Sequence, residues 1–283
     1  MVFLLWSMNV FIEAVGLGSS SCSGAAAVCG KVTIPYPFGI EPGCYIDDSF
    51  AIDCNNTLGS PKPFFRRFDL EVLDISLEGA LRSGTERAPN VSLASSPFVF
   101  SKFRNIFVAM GCGNLAYLLS SDVSNSSLSI YGLIGGCMSV CEKDTIQSYG
   151  SSCNGIGCCK TTIPSDLDVF TTIIRSMSRA SVERTENCQY AFLVDQKWFE
   201  ENLTNHFEVQ KMTHVPVVLN WEINANLSSL IMGSNSSHST CQFANRSSSL
   251  GNMSSTFTCS CDSGFEGNPY LVDGCQDIFL CHD

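Results

Sequence analysis

The chain has 283 residues, of which 45% are hydrophobic and 10% aromatic, a formal net charge of -11, and 16 cysteines. The apolar fraction excludes a disordered tail, and the acidic balance excludes a nucleic-acid partner held by a basic surface. Cysteines spread from Cys22 to Cys281, rather than gathered in one cluster, exclude an ordinary cytosolic protein and point to disulfides in an oxidising compartment.

The N-terminal stretch "MVFLLWSMNVFIEAVGLGSSSCSGAAAVCG" opens with a short apolar run and passes into small residues, which predicts a signal peptide over 1–21. It lacks a basic n-region and carries Glu13, so a buried β-strand stands as the alternative. No later apolar run is long enough to span a bilayer: "TIPYPFGI" and "VPVVLNWEI" are strand-sized and interrupted by proline or charge. In "FDLEVLDISLEGALR", residues 68 to 82, apolar positions alternate through Leu70 and Val72, slip phase, and resume at Leu73, Ile75 and Leu77. That pattern predicts a strand with a bulge.

"SPFVFSKFRNIFVAMGCG" and "SSLSIYGLIGGC" carry the same β-branched and aromatic content between Ser, Gly and Pro, so residues 29 to 160 read as an all-β domain stapled by disulfides. "SDLDVFTTIIRSMSRA" predicts a helix begun by a Ser165 cap and an acidic first turn. Residues 224 to 258 are dominated by Asn, Ser and Gly, which suits a linker or an elaborate loop after a boundary near residue 222.

Asn-x-Ser/Thr acceptors stand at Asn55, Asn90, Asn125, Asn202, Asn226, Asn235, Asn245 and Asn252, and together with the cysteines they indicate a secreted glycoprotein. The disulfide candidates are Cys22, Cys29, Cys44, Cys54, Cys112, Cys137, Cys141, Cys153, Cys158, Cys159, Cys188, Cys241, Cys259, Cys261 and Cys275. Cys137-x3-Cys141 and the vicinal Cys158-Cys159 admit a zinc reading, but secretion favours disulfides. Cys259 and Cys261, at i and i+2, share one face of an extended strand and so reach other partners more readily than each other.

His206, His214, His238 and His282 lie in polar contexts without a nucleophile signature nearby, and there is no P-loop or HExxH. No catalytic residue, metal or cofactor is expected.

The segment "CDSGFEGNPYLVDGC", residues 261 to 275, is too short to bury a core. With Cys259 it forms Cys-x-Cys, Gly-Phe-x-Gly, Cys, which resembles the C-terminal half of an epidermal-growth-factor-like module. In such a module Gly264 and Gly267 take positive φ in the turns and Phe265 covers a disulfide. The extension "GNPYL" with "GCQDI" is similar to the extracellular modules of plant wall-associated receptor kinases.

Further blocks carry that resemblance in order: "CGKVTIPYPFGIEPGCYIDDSFAIDC" at 29 to 54, "NIFVAMGCGNLAYL", "GGCMSVC", "GIGCCKTTIP", "NCQYAFLVDQKWF" and "VPVVLNW". It implies a galacturonan-binding cysteine-rich β domain over 22–160, the family's associated region over 161–222 and a glycosylated linker over 223–240. A degenerate growth-factor-like module follows over 241–276, and a second module begins over 277–283.

Two departures stand out. The family's cysteine before "PFVFS" is absent from "APNVSLASSPFVFS", and the first half of the module around Cys241 is incomplete. Cys281 resembles the first cysteine of a second module, its partner lying beyond the chain. In calcium-binding members an Asp and a Glu approach that cysteine; Asp277 is kept, but Leu280 stands where the Glu would be, so calcium is not expected.

The fold class expected is therefore mainly β, a disulfide-rich extracellular domain followed by a small growth-factor-like module. The resemblance implies a non-catalytic receptor region at the cell wall or the outer face of the plasma membrane. It would bind pectin or oligogalacturonides, with kinase and membrane span outside this chain. A like-signed polymer requires a local basic patch. The candidates are Lys62, Arg66 and Arg67 in "KPFFRRF", extended by Lys102 and Arg104 in "SKFRN", since arginine forks suit carboxylates and rings cover sugar faces. The competing reading makes these cations a blunted strand edge. At the level of the whole chain, the alternative is a structural or protein-binding ectodomain without pectin affinity. A secreted carbohydrate-active enzyme lacks recognisable paired carboxylates.

Overall fold

Short β-branched and aromatic runs, broken by Gly, Pro, Ser and Asn, become short antiparallel strands, and the architecture is mainly β. The computed structural model describes residues 26–57, 59–77, 80–86, 90–119, 132–140, 153–176, 189–202, 212, 214–232, 238–247 and 253–278. The segment 1–21, Cys22, Cys141, Cys188, Cys281, Leu280, and the acceptors Asn125, Asn235 and Asn252 lie outside them.

The first strands are β1 (Ala27–Cys29), β2 (Val32–Ile34), β3 (Ile52–Asn55), β4 (Lys62–Phe65), β5 (Glu71–Ser76), β6 (Ala80–Glu86) and β7 (Asn90–Ser92). Then come β8 (Phe98–Phe100), β9 (Asn105–Met110), β10 (Asn114–Leu119), β11 (Leu133–Ser139), β12 (Cys158–Thr162), β13 (Val169–Ser176) and β14 (Tyr190–Asp195). The helix α1 (Gln196–Asn202) precedes β15 (His214–Trp221) and β16 (Ile223–Asn224), and α2 (Ser228–Met232) precedes β17 (Ser239–Ser247), β18 (Met253–Cys261), β19 (Phe265–Gly267) and β20 (Cys275–Asp277).

Six strands form one sheet in the order β3-β4-β5-β6-β15-β8; the others are β12-β9-β14, β11-β10-β13-β7, β16-β18-β17 and the hairpins β1-β2 and β19-β20. The segments 22–160 and 161–222 interleave: β15 lies between β6 and β8, β13 between β10 and β7, and β14 beside β9. The division at residue 160 falls inside β12. Proline is tolerated in β15 because β8 pairs only with Leu219–Trp221, so Pro216 has a strand partner on one side alone.

The stretch 68–82 is a hairpin rather than one strand, with β5 turning back into β6. The phase slip is real: the register shifts between Val72 and Asp74, and Leu73 is exposed. The helix expected from Ser165 is instead β13, paired with both β10 and β7. Asp166 has φ 56, which a right-handed helix start cannot accommodate, and Val169, Thr171, Thr172, Ile173 and Ile174 lose side-chain freedom in a helix but pack well on a sheet. The linker expected over 223–240 also has structure. Ile223 is buried and pairs with Phe257, and Asn224 caps a 3-10 turn over Ala225–Leu227.

β9 shows how the core is organised. All six of its residues are buried; Phe107 and Ala109 enter one core while Ile106, Val108 and Met110 enter another with Phe192, Val194, Phe199 and Val215. The period of two thus serves two cores from one central strand. In the larger core the rings of Phe38, Phe50, Phe65, Phe98 and Trp221 meet edge to face or tilted at 4.9 to 6.3 Å. Burying each such ring contributes roughly 1.5–3 kcal/mol.

Five disulfides join described cysteines: Cys29–Cys54, Cys137–Cys159, Cys153–Cys158, Cys241–Cys259 and Cys261–Cys275. Cys44 and Cys112 are also disulfide-bonded. The adjacent Cys158 and Cys159 have different partners, as do Cys259 and Cys261. The growth-factor-like segment docks through the GNPY turn. Asn268 Nδ2 donates to the Tyr36 carbonyl at 2.8 Å, and the buried Tyr270 ring lies 5.4 Å from Trp221. Gly264 and Gly267 take φ 92 and 130, and a Cβ on Gly267 would lie 2.0 Å from the Gly274 carbonyl oxygen. Phe265 stacks on His238 with centroids 3.9 Å apart.

Candidate ligand-binding site

The basic stretch after β3 is largely occupied by its own neighbours. On β4, Phe65 points into the core, and the Lys62 ammonium reaches across to Glu71 of β5 at 3.0 Å. Arg66 donates from Nε to Asp53 at 2.8 Å, from Nη1 to the Tyr45 hydroxyl at 3.2 Å and from Nη2 to the Ile40 carbonyl at 3.4 Å. The hydrogen bond to Asp53, then that to Tyr45, raises the Arg66 pKa above its ordinary value. A ligand carboxylate would have to displace these partners. Arg67 is exposed, with its guanidinium carbon 5.6 Å from the Phe68 ring centroid and no acidic partner among the described residues.

Lys102 and Arg104 sit on a different turn, between β8 and β9. Ser101 is buried and its carbonyl accepts from the Asn105 backbone N–H at 3.0 Å and from Asn105 Nδ2 at 2.9 Å. Asn105 Nδ2 also donates to the Val218 carbonyl, and its Oδ1 accepts from the Val218 N–H. One buried amide therefore pins both ends of the turn to β15. On this turn Lys102, Phe103 and Arg104 are all exposed. Phe103 is 79% exposed, the most of any described large hydrophobic, and Lys102 Nζ lies 4.8 Å from its ring centroid. Neither cation has an acidic partner among the described residues.

The candidate cations thus divide into a paired set, Lys62 and Arg66, and an unpaired set, Arg67, Lys102 and Arg104. β4 and β8 stand at or near opposite ends of the strand order in the six-stranded sheet, so the two basic turns are separate features of the fold. Sequence reasoning did not single out Phe103. The available signal was an aromatic between two cations, bounded by Ser101 and Asn105, in a span too short to be strand throughout.

Among the described residues, no group of three or more His, Cys, Asp or Glu is placed to hold a metal ion, and no helix is long and apolar enough to cross a membrane. His214 is exposed on β15, His238 stacks on Phe265, and His206 and His282 lie outside the described residues.

Comparison with known proteins gives a consistent picture. Residues 22–83 match the family model described as wall-associated receptor kinase galacturonan-binding, and residues 150–230 match that of wall-associated kinase. The chain is 35% identical over 272 residues to wall-associated receptor kinase 5 of Arabidopsis thaliana, covering 89% of this chain and 34% of that protein. Wall-associated receptor kinase 2 of the same plant is 33% identical over 277 residues, with the same coverage of each. Wall-associated receptor kinase-like 17, also of Arabidopsis thaliana, is 26% identical over 334 residues, covering 100% of this chain and 42% of that protein. The chain spans about a third of the length of the first two relatives. No solved structure matches it. The two domain matches and the relatives together place the chain in the wall-associated receptor kinase family, as an extracellular region that includes the galacturonan-binding domain.

Proposed function

We propose that this region binds pectin, as polygalacturonate or oligogalacturonides, without cleaving it, at the cell wall or the outer face of the plasma membrane. The observation that carries the reading is the 102–104 turn, where a rigidly held loop presents an exposed ring between two cations that have no acidic partner among the described residues. A guanidinium matches a carboxylate in two hydrogen bonds, an ammonium adds a point charge, and a ring covers the apolar face of a sugar. A polyuronate offers both features at every unit. The chain's charge of -11 repels such a polymer at long range, but screening confines that repulsion to about 8 Å at physiological salt, leaving the contact cations to act. Secretion with glycans on acceptors such as Asn55, Asn202, Asn226 and Asn245, all exposed, accords with this setting.

A second reading, a protein-binding ectodomain, is favoured by Phe243 and Met253, exposed by 55% and 69% on the β17–β18 hairpin. Calorimetric titration of the parent protein with galacturonate oligomers of graded length separates the two. Saturable, salt-sensitive binding supports the pectin reading, and no binding to any oligomer favours the protein-binding one. New reducing ends during the titration would instead indicate an enzyme.

A further inference from the structure

A cavity of about 350 Å3 lies where the strands of the first domain meet the β17–β18 hairpin, within the size range of small-molecule sites. On one side stand Asp47, Ser49 and the Ser95–Pro97 segment; on the other, Arg246, Ser254 and Thr256, with Glu222 between them in sequence. Of its ten lining residues only Pro97 lacks a polar side chain, so hydrogen-bonding groups are at hand on both sides for a polar occupant.

The cavity has a fixed charge pattern. Arg246 is 8% exposed, and its guanidinium is clamped across the junction, donating from Nη1 to the Pro97 carbonyl at 3.0 Å and from Nη2 to the Ser96 carbonyl at 2.7 Å. Two of its five N–H groups suffice for those bonds. The buried Thr256 hydroxyl donates to Glu222, and Asp47 accepts from the Ser49 backbone N–H at 2.6 Å. The hydroxyls of Ser49 and Ser254, both half-buried, have no hydrogen-bond partner among the described residues. Strand alternation sends the acceptor Asn245 to the exposed face and Arg246 inward, so a glycan on Asn245 leaves the cavity clear.

We propose that this cavity binds one uncharged sugar unit. A uronate carboxylate would be set beside Asp47 and Glu222 in a partly desolvated site, while the clamped Arg246 offsets part of the pull of those two carboxylates on a cation. A neutral polyol needs no ion pair here. Its hydroxyls donate to the two carboxylates and accept from the guanidinium, and the serine hydroxyls can do both. This occupant differs from the one proposed at the 102–104 turn, and none of the cavity's lining residues belongs to that turn. Because the walls come from both sides of the junction, occupancy also holds the hairpin against the first domain.

The test uses a fully methyl-esterified galacturonate trimer, which is uncharged, and its de-esterified twin. The parent is expected to bind the ester trimer with the same affinity at low and high salt and to gain thermal stability from it. Ser49→Leu, which fills the cavity and lies in no glycosylation acceptor, is expected to weaken that binding about tenfold or more, and Glu222→Gln several-fold. The second variant keeps an acceptor for Thr256, so a folding failure of the first leaves the inference testable. Loss of ester-trimer binding in these variants supports the inference whether or not the de-esterified trimer binds, whereas the reading of carboxylate recognition at the 102–104 turn fails if only the ester binds. No binding of the ester trimer by the parent, or equal binding by the parent and a folded variant, overturns the cavity assignment.

Discussion

The Tyr270 ring lies 5.4 Å from Trp221, while the Tyr270 hydroxyl accepts a hydrogen bond from the Cys259 backbone N–H at 3.1 Å. Trp221 in turn meets Phe38 and Phe50 edge to face. One tyrosine thus joins the growth-factor-like segment to the largest core of the preceding strands, and the disulfide-bonded module is anchored rather than tethered. Tyr270→Ala removes a ring that is 3% exposed and leaves the Cys259 N–H without its acceptor. Chemical denaturation is expected to show a loss of about 3–5 kcal/mol, as for other buried aromatics. A loss below about 1 kcal/mol would mean that the module is not packed on the core.

Burial pushes the Tyr270 phenol up to about 12, with the hydrogen bond from Cys259 lowering it and the Glu222 charge raising it. The folded pKa lies above the unfolded value of about 10, so the stabilisation is fully present below pH 10 and is lost as pH rises towards 12. The expected slope there is about 1.4 kcal/mol per pH unit. Tyr270→Phe is expected to remove this share of the alkaline sensitivity, as measured by denaturation midpoints across that pH range. An identical alkaline profile in the variant would contradict the assignment.

Asn105→Ala tests the brace beneath the 102–104 turn. It removes three side-chain hydrogen bonds, two to carbonyls and one from the Val218 N–H, at a site 1% exposed. The Ser101 and Val218 carbonyls keep their backbone donors, so the Val218 N–H is the group left without a partner; a loss of about 1–3 kcal/mol is expected by denaturant titration, with faster amide exchange over 101–105. Unchanged exchange there would show that the turn is held by other contacts.

The cysteine pairing is checked by mass spectrometry of unreduced, alkylated peptides. The expected cross-linked peptides join Cys137 to Cys159, Cys153 to Cys158 and Cys241 to Cys259. A vicinal Cys158–Cys159 bridge, or free thiols at these positions, would contradict the fold around β12.

Much of this was legible in the sequence. The strand character of "NIFVAM" and "VPVVLNW", the phase slip at Val72 and the divergent partners of Cys259 and Cys261 follow from local periodicity, which survives folding because one face of each strand is buried. The helix expected at 165–180 was misjudged because a capping serine and acidic residues are local signals. They were outweighed by five β-branched side chains and two waiting sheet partners.

In the candidate site, composition identified the cations but not their occupancy. Whether Lys62 meets Glu71, 9 residues away, or Arg66 meets Asp53, 13 away, depends on the register of neighbouring strands, which composition does not specify. The turn that holds Phe103 in solvent likewise depends on Asn105 reaching Val218, a contact 113 residues away that no local pattern encodes.

The most direct measurement titrates one galacturonate oligomer into three proteins at low and high salt: the parent, the triple variant Lys102→Gln, Phe103→Ala, Arg104→Gln, and the double variant Lys62→Gln, Arg66→Gln. Two partly exposed ion pairs at about 0.2–1 kcal/mol each and a ring contact at about 0.5–1.5 kcal/mol correspond to roughly a fivefold to a few-hundredfold effect. The triple variant is expected to lose that affinity and most of its salt dependence, while the double variant, whose cations are already paired, stays within about twofold of the parent. A triple variant that binds as the parent does at both salt concentrations, or a double variant that loses as much, would contradict the placement of the pectin contact on the 102–104 turn.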